Sequence, residues 1–249
     1  MLSCDVEPGA LAGKSQLQHL GLKYCRILGG AAGLAQLLSY LQHLQQLTHL
    51  ILDSLYAGSD DIPPASGFSA LTASSKLEFL SCGNCAMPAD VWQHVFPAGR
   101  QLPHLEALDI WAVKTPAGGN TAAPVNLDSC CPGLAGLGLK RLQCTTELLA
   151  SLSRLSGLRV LHVSVVEAVR DATGCICQLT GLRDLGLFTC SAAYQEGLML
   201  QLTELRQLTK LLYYMDDTHH RHDFETKVSA VKNIYTSWSE ISFYSVLLG

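Results

Sequence analysis

The sequence predicts an α/β solenoid: a curved parallel sheet of about eight short strands on one face, with helices returning on the other. Three observations carry this. A phrase of Leu, two variable residues, Leu, one variable residue and an apolar residue recurs from Leu17, Leu47, Leu77, Leu105, Leu134, Leu158, Leu182 and Leu208. The spacings between these starts, by subtraction, are 30, 30, 28, 29, 24, 24 and 26 residues. Between the phrases, leucines return at helical spacing. Hydrophobic residues make up 48% of the 249-residue chain and charged residues only 15%, enough apolar surface for a continuous core.

Each part of the unit has a physical role. In x-L-x-L-x the two apolar residues alternate with variable ones, so one set points into the core and the other outward. The full unit reads L-x-x-L-x-L-x-x-C/N-x-L. It runs Leu17, Leu20, Leu22, Cys25, Ile27 in the first unit and Leu77, Leu80, Cys82, Cys85, Met87 in the third. In the seventh it runs Leu182, Leu185, Leu187, Cys190, Ala192. The Cys position follows a bend, where the side chain turns inward and its polar atom is expected to bond the backbone of neighbouring turns. Leu55, Val113, Leu142 and Val166 replace Cys or Asn at four bends. No unit buries its apolar face alone, so the units must stack. Leu20, Leu50, Leu80, Leu108, Leu137, Leu161, Leu185 and Leu211 are expected to form one interior column.

The returns follow in order. Leu34, Leu37, Leu38, Leu41 and Leu44 share one helix face, as do Val91, Trp92, Val95 and Phe96 after a Pro88-Ala89-Asp90 start. Leu148, Leu149, Leu152 and Leu155, and then Leu198, Leu202 and Leu205, repeat the pattern. The glycines around Gly29, Gly30 and Gly33 lack the Lys and Ser/Thr of a phosphate loop and read as a place where turns pack closely. Two irregular loops, 57–67 and 115–126, are expected on one rim.

This pattern resembles the leucine-rich repeat family over roughly residues 14–216. Leu155-Ser156-Gly157-Leu158 and Leu179-Thr180-Gly181-Leu182 resemble the short repeats of plant and green-algal proteins. Cys131-Pro132-Gly133-Leu134, with Cys at other bends, is similar to the cysteine-containing repeats of F-box proteins. The resemblance implies an interaction scaffold that recognises a protein segment on the concave sheet. A second implied reading is the substrate receptor of a cullin-type ubiquitin ligase. That needs an F-box helical module, for which residues 1–16 are too short. In a ciliated alga the resemblance also implies an axonemal protein.

At the ends, residues 1–216 read as the solenoid and 217–249 as a C-terminal cap or tail. Met1–Val6 matches the tail of a preceding unit, with Cys4 at the bend position and Val6 as the apolar residue after it, so the N-terminal end reads as truncated.

Other chemistry is thin. The formal net charge of −4 argues against a general electrostatic hold on nucleic acid or anionic membrane. No leader or membrane span is readable, and the location expected is cytoplasmic, with the nucleus or an axoneme open. The 10 cysteines then read as reduced thiols with packing roles. Cys82-x-x-Cys85 has half a zinc spacing, but both fall on interior positions; Cys25, Cys85 and Cys190 are expected buried, reduced and metal-free. His219, His220 and His222 with Asp223 read as a polar turn. No catalytic constellation, cofactor or metal is implied.

The candidate site is the outward side of the strands, at the third, fifth and seventh positions of each unit. A solvated strand face is ordinarily small or polar, so aromatics there point to binding. The candidate partner-binding residues are His49, Asp53, Phe79, Asp109, Trp111, Lys140, His162, Phe188 and Tyr214. Trp111, with Asp109 and Phe79 beside it, is the expected anchor.

Overall fold

The computed structural model describes residues 4–57, 62–142, 144–165, 172–189, 202, 204–215 and 240–245. In chain order its elements begin with β1 (Cys4–Val6), β2 (His19–Lys23), β3 (Cys25–Ile27), α1 (Gly30–Leu41) and β4 (His49–Asp53). They continue with β5 (Phe79–Gly83), α2 (Val91–Val95), β6 (Ala107–Trp111), α3 (Leu127–Cys130), β7 (Gly136–Lys140) and α4 (Thr146–Leu152). The last are β8 (Val160–Val165), α5 (Ala172–Cys177), β9 (Asp184–Thr189), β10 (Lys210–Met215) and β11 (Glu240–Ser245). 3-10 helix covers Pro8–Leu11 and Ala65–Thr72.

The eight expected strands lie side by side in one parallel sheet, in chain order from β2 to β10 with β3 apart, and β11 adds a ninth strand beside β10. The register is that of the repeat. Leu20, Leu50, Leu80, Leu108, Leu137, Leu161, Leu185 and Leu211 are successive partners across the sheet. From Leu50 to Leu211 this column is at most 2% exposed, while Leu20, in the first strand, is only partly buried. This is the leucine-rich solenoid that the periodicity demands: each interior leucine is covered by the units on either side.

The helical returns close the core from behind. In α1, Leu34, Leu37, Leu38 and Leu41 are buried, each stabilising by roughly 1.5–3 kcal/mol relative to exposure. The helix enters through Gly29 and Gly30, both at positive φ (84° and 61°), where glycine has no steric penalty. A Cβ at Gly33 would strike the carbonyl of Leu28, so the close packing expected of this glycine run is found. In α2, Val91, Trp92 and Val95 are buried. Leu148, Leu149, Leu152 and Leu155 fill the interior behind β7 and β8. Leu202 and Leu205 are buried; Leu198 lies outside the described residues.

Two details differ from the sequence reading. The loop expected over 57–67 already becomes 3-10 helix at Ala65, and Phe68 and Leu71 there bury the face an α-helix would otherwise supply. The loop after Thr115 is tied down: Thr121 accepts a hydrogen bond from Trp92 Nε1 (3.3 Å) and donates through Oγ1 to the Val113 carbonyl (3.3 Å). The rim expectation holds. Ala57 and Ile62 from one loop and Thr115 and Pro116 from the other line the same cleft, with Asn84 and Lys114.

The bend works differently from the expectation. Cys25 is buried, but its thiol donates to the Lys23 carbonyl of its own unit at 3.2 Å. Backbone groups tie one turn to the next: the Cys25 and Cys85 carbonyls accept from the N–H groups of Tyr56 and Lys114 at 3.0 Å, and the residue before the bend donates as well. Tyr24, Ser54 and Ala112 each donate a backbone N–H to the last strand residue of the following unit, at 2.8–2.9 Å, and Asn84 donates to the Trp111 carbonyl at 2.9 Å. Backbone bonds need no special side chain, so Leu55 and Val113 serve at this bend as well as cysteine does; Val166 lies outside the described residues.

Those donors sit in the left-handed region, with φ 54° at Tyr24, 55° at Ser54, 46° at Asn84 and 50° at Ala112, and so does Arg141 at 56°, whose N–H donates to the Ser164 hydroxyl at 2.6 Å. For non-glycine residues this costs on the order of 1–2 kcal/mol each. Glycine at the exposed Arg141 position is therefore expected to stabilise the protein by about 0.5–1 kcal/mol, once its larger unfolded-state entropy is counted. Urea unfolding of Arg141→Gly checks this; a lower midpoint would contradict it.

Candidate functional site

The parallel register lays the outward positions in three straight rows across the sheet. The third-position row begins with His19, His49 and Phe79. Their rings stack continuously, with centroids 4.5 Å apart for His19 and His49 and 6.0 Å apart for His49 and Phe79. His49 Nδ1 lies 3.0 Å from the Thr48 hydroxyl. Two candidate residues, His49 and Phe79, are thus brought together, and His19 joins them at the exposed end.

Phe79 is not beside Trp111. It is in register with Ala107, whereas Trp111 is in register with Gly83, four residues along β5 from Phe79. Side chains that far along a strand do not meet. The neighbour of Trp111 is the glycine itself. The indole lies across Gly83, where an added Cβ would collide with Nε1 and Cε2. Gly83 is buried beneath the ring, and Trp111 is partly exposed. Among the described residues its indole N–H has no hydrogen-bond partner.

Two further glycines do the same work. Asp109 lies over Gly138 on the next strand, and His162 lies over Gly186 on the next. Gly83, Gly138 and Gly186 read as outward positions in the sequence, yet each is buried under a neighbour's side chain. The face is therefore paved: its larger side chains lie flat where glycine leaves room. The signal was present in the sequence, as a glycine at the same unit position as a large residue in the adjacent unit.

The charged candidates pair locally. Lys140 Nζ is 3.5 Å from Asp109 Oδ1. That oxygen is buried against the sheet and accepts no hydrogen bond, so the lysine charge is what offsets its desolvation. His162 Nε2 lies 3.1 Å from Asp184 Oδ1, and Lys210 Nζ lies 4.0 Å from the other carboxylate oxygen. Asp184 and Lys210, both at the outward third position of their units, complete this cluster, although neither is among the nine named candidates. Asp53 Oδ1 accepts from the Ser54 hydroxyl at 2.8 Å, and Asn84 Nδ2 donates to that hydroxyl at 3.1 Å. Phe188 is partly buried and in register with Ser164 and Tyr214.

Cys82 and Cys85 are buried; Cys190 lies outside the described residues, as do His219, His220, His222 and Asp223. Among the described residues no three metal-ligating side chains come together. Burial pushes the Cys85 thiol up to about 12, with the Asp53 charge adding to it. Burial likewise pushes Cys131 up to about 12 and Cys144 up to about 11. Such thiols favour the folded state while neutral. Their stabilisation is complete below the ordinary thiol value of 9.0 and is lost as pH rises from there toward 11–12. Native Cys85 is expected to resist a thiolate-directed reagent at pH 8 and to become reactive only as the protein loosens above pH 9. Rapid native labelling at pH 8 would contradict this.

No helix among the described residues is long and apolar enough to cross a membrane. No family model matches the chain, and no curated protein sequence matches it. Among solved structures, the crystal structure of an internalin from Listeria monocytogenes aligns with 94% of this chain and 82% of its own, at 16% identity and a TM-score of 0.36. A score that low does not establish a shared fold; the solenoid stands on its own strand pairing.

Proposed function

We propose that the protein is a non-enzymatic interaction scaffold that binds a partner protein on the open face of its sheet, with Trp111 as the central anchor. One observation carries this reading. A partly exposed indole lies over Gly83, on the fourth strand of the sheet, with no hydrogen-bond partner for its N–H among the described residues. A large ring held in place by backbone loses little entropy on binding and offers both apolar area and a donor. The polar groups around it support the same reading. Asp109 with Lys140, and His162 with Asp184, pair with one another and so form a structured polar surround for a docked chain. Stacked units also present an extended surface, which suits a protein segment better than a small molecule.

The test is affinity capture with mass spectrometry, run in parallel on the wild type and on Trp111→Ala. Partners held by the wild type and lost by the variant support the reading. An identical set held by both, with the variant folded, overturns it at this site.

A further inference from the structure

The N-terminal strand lies against the first unit in a way that brings two thiols together. β1 pairs in parallel with β3, and the register sets Cys4 opposite Cys25, Asp5 opposite Arg26 and Val6 opposite Ile27. The outward pair is fixed by a two-pronged ion pair: Arg26 donates to Asp5 through Nε at 2.9 Å and Nη2 at 2.7 Å. Side chains alternate along a strand, so with Asp5 and Arg26 on one side, Cys4 and Cys25 share the other. Directly opposed residues on neighbouring strands are about 4.8 Å apart, within the roughly 4.4–6.8 Å that a disulfide spans between Cα atoms. The two thiols differ in access: Cys4 is exposed, whereas Cys25 is 7% exposed.

We propose that Cys4 and Cys25 form a reversible oxidation site that closes into a disulfide by exchange with a small disulfide of the glutathione class. The Cys4 thiolate attacks one sulfur of the oxidised reagent, forming a mixed disulfide and expelling one thiolate. The Cys25 thiolate then attacks the Cys4 sulfur, forming the Cys4–Cys25 bond and expelling the second thiolate. Two protein thiols are oxidised, one small disulfide is reduced to two thiols, and the two protons pass to the departing thiolates. The order follows from access, since only Cys4 meets solvent. Burial raises the Cys25 thiol above its ordinary range, so Cys25 serves as the resolving group, aided by nearness. The product is a covalent clasp that holds β1 onto the first bend, where the ion pair of Asp5 and Arg26 otherwise provides an exposed and salt-sensitive hold. Among the described residues Cys4 is the only cysteine that is fully exposed, so the exchange begins at this end.

The experiment treats the full chain with oxidised glutathione at pH 8, quenches with acid, and maps peptides by mass spectrometry. The expected result is a peptide pair linked through Cys4 and Cys25. Thiols titrated after denaturation should fall from 10 to about 8, two being consumed. Reduction should restore both. Cys25→Ser should stop at the Cys4 mixed disulfide, and Cys4→Ser should leave Cys25 unmodified. Circular dichroism of Cys4→Ser, altered only at an exposed position, separates a chemical effect from misfolding. The proposal is overturned if the wild type accumulates the Cys4 mixed disulfide without resolving it. It is equally overturned if Cys4 links to a different cysteine, or does not react.

Discussion

Leu137→Ala is expected to lower the stability by about 2–5 kcal/mol. Leu137 is 2% exposed and sits in the middle of the interior column, in register with Leu108 on one side and Leu161 on the other. Truncation removes the transfer energy of the isobutyl group and leaves a void that two flanking units cannot fill without breaking their own strand register. The position also has a cooperative consequence. Each unit of a solenoid is held only by its neighbours, so a weakened fifth unit should split one unfolding transition into two. Chemical denaturation followed by two probes checks both effects: hydrogen exchange at β4 reports the N-terminal half, and hydrogen exchange at β9 reports the other. An unchanged midpoint, with coincident probes, would show that the column does not carry the stability assigned to it.

Trp111→Ala is expected to weaken partner binding about thirtyfold or more. A central aromatic anchor is worth at least about 2 kcal/mol on truncation, and roughly 1.4 kcal/mol corresponds to one decade of affinity. The fold should survive, because the ring lies over the sheet and is not among the residues of the apolar core. Gly83→Ala tests the same platform from below. Its methyl would occupy the space of the indole, so Trp111 must swing away while remaining chemically intact. If the seated ring is the anchor, both variants lose affinity measured by calorimetry. If Trp111→Ala binds as the wild type does, the anchor is elsewhere on the face; if it unfolds, the ring contributes to folding in a way the packing does not show.

The opposite behaviour of these two positions shows where sequence reasoning is strong. Leu137 was legible because a solenoid imposes the same burial on the same unit position throughout, so periodicity alone identifies the interior column. The helices were legible for the same reason, from Leu34 to Leu41 and from Leu148 to Leu155, since each must present one apolar stripe to that column. Cys4 and Val6 were legible too, because a fragment of the repeated phrase takes the register of the phrase: they pair with Cys25 and Ile27.

What the sequence by itself determined is therefore the parallel sheet, its register, the leucine core, and which side chains face outward. Only the tertiary structure decided how the outward side chains dispose themselves, because that depends on the neighbour across the sheet and not on the unit a residue belongs to. Trp111 could lie toward Phe79 or toward Gly83, and space decides for the glycine. Asp109 turns onto Gly138 and is held by Lys140, and His162 turns onto Gly186 and meets Asp184. The bend was decided the same way. Its inter-unit bonds are made by the backbone, in part from donors in the left-handed region, a conformation adopted here by Tyr, Ser, Asn, Ala and Arg alike at a modest cost, and so written in no single residue type.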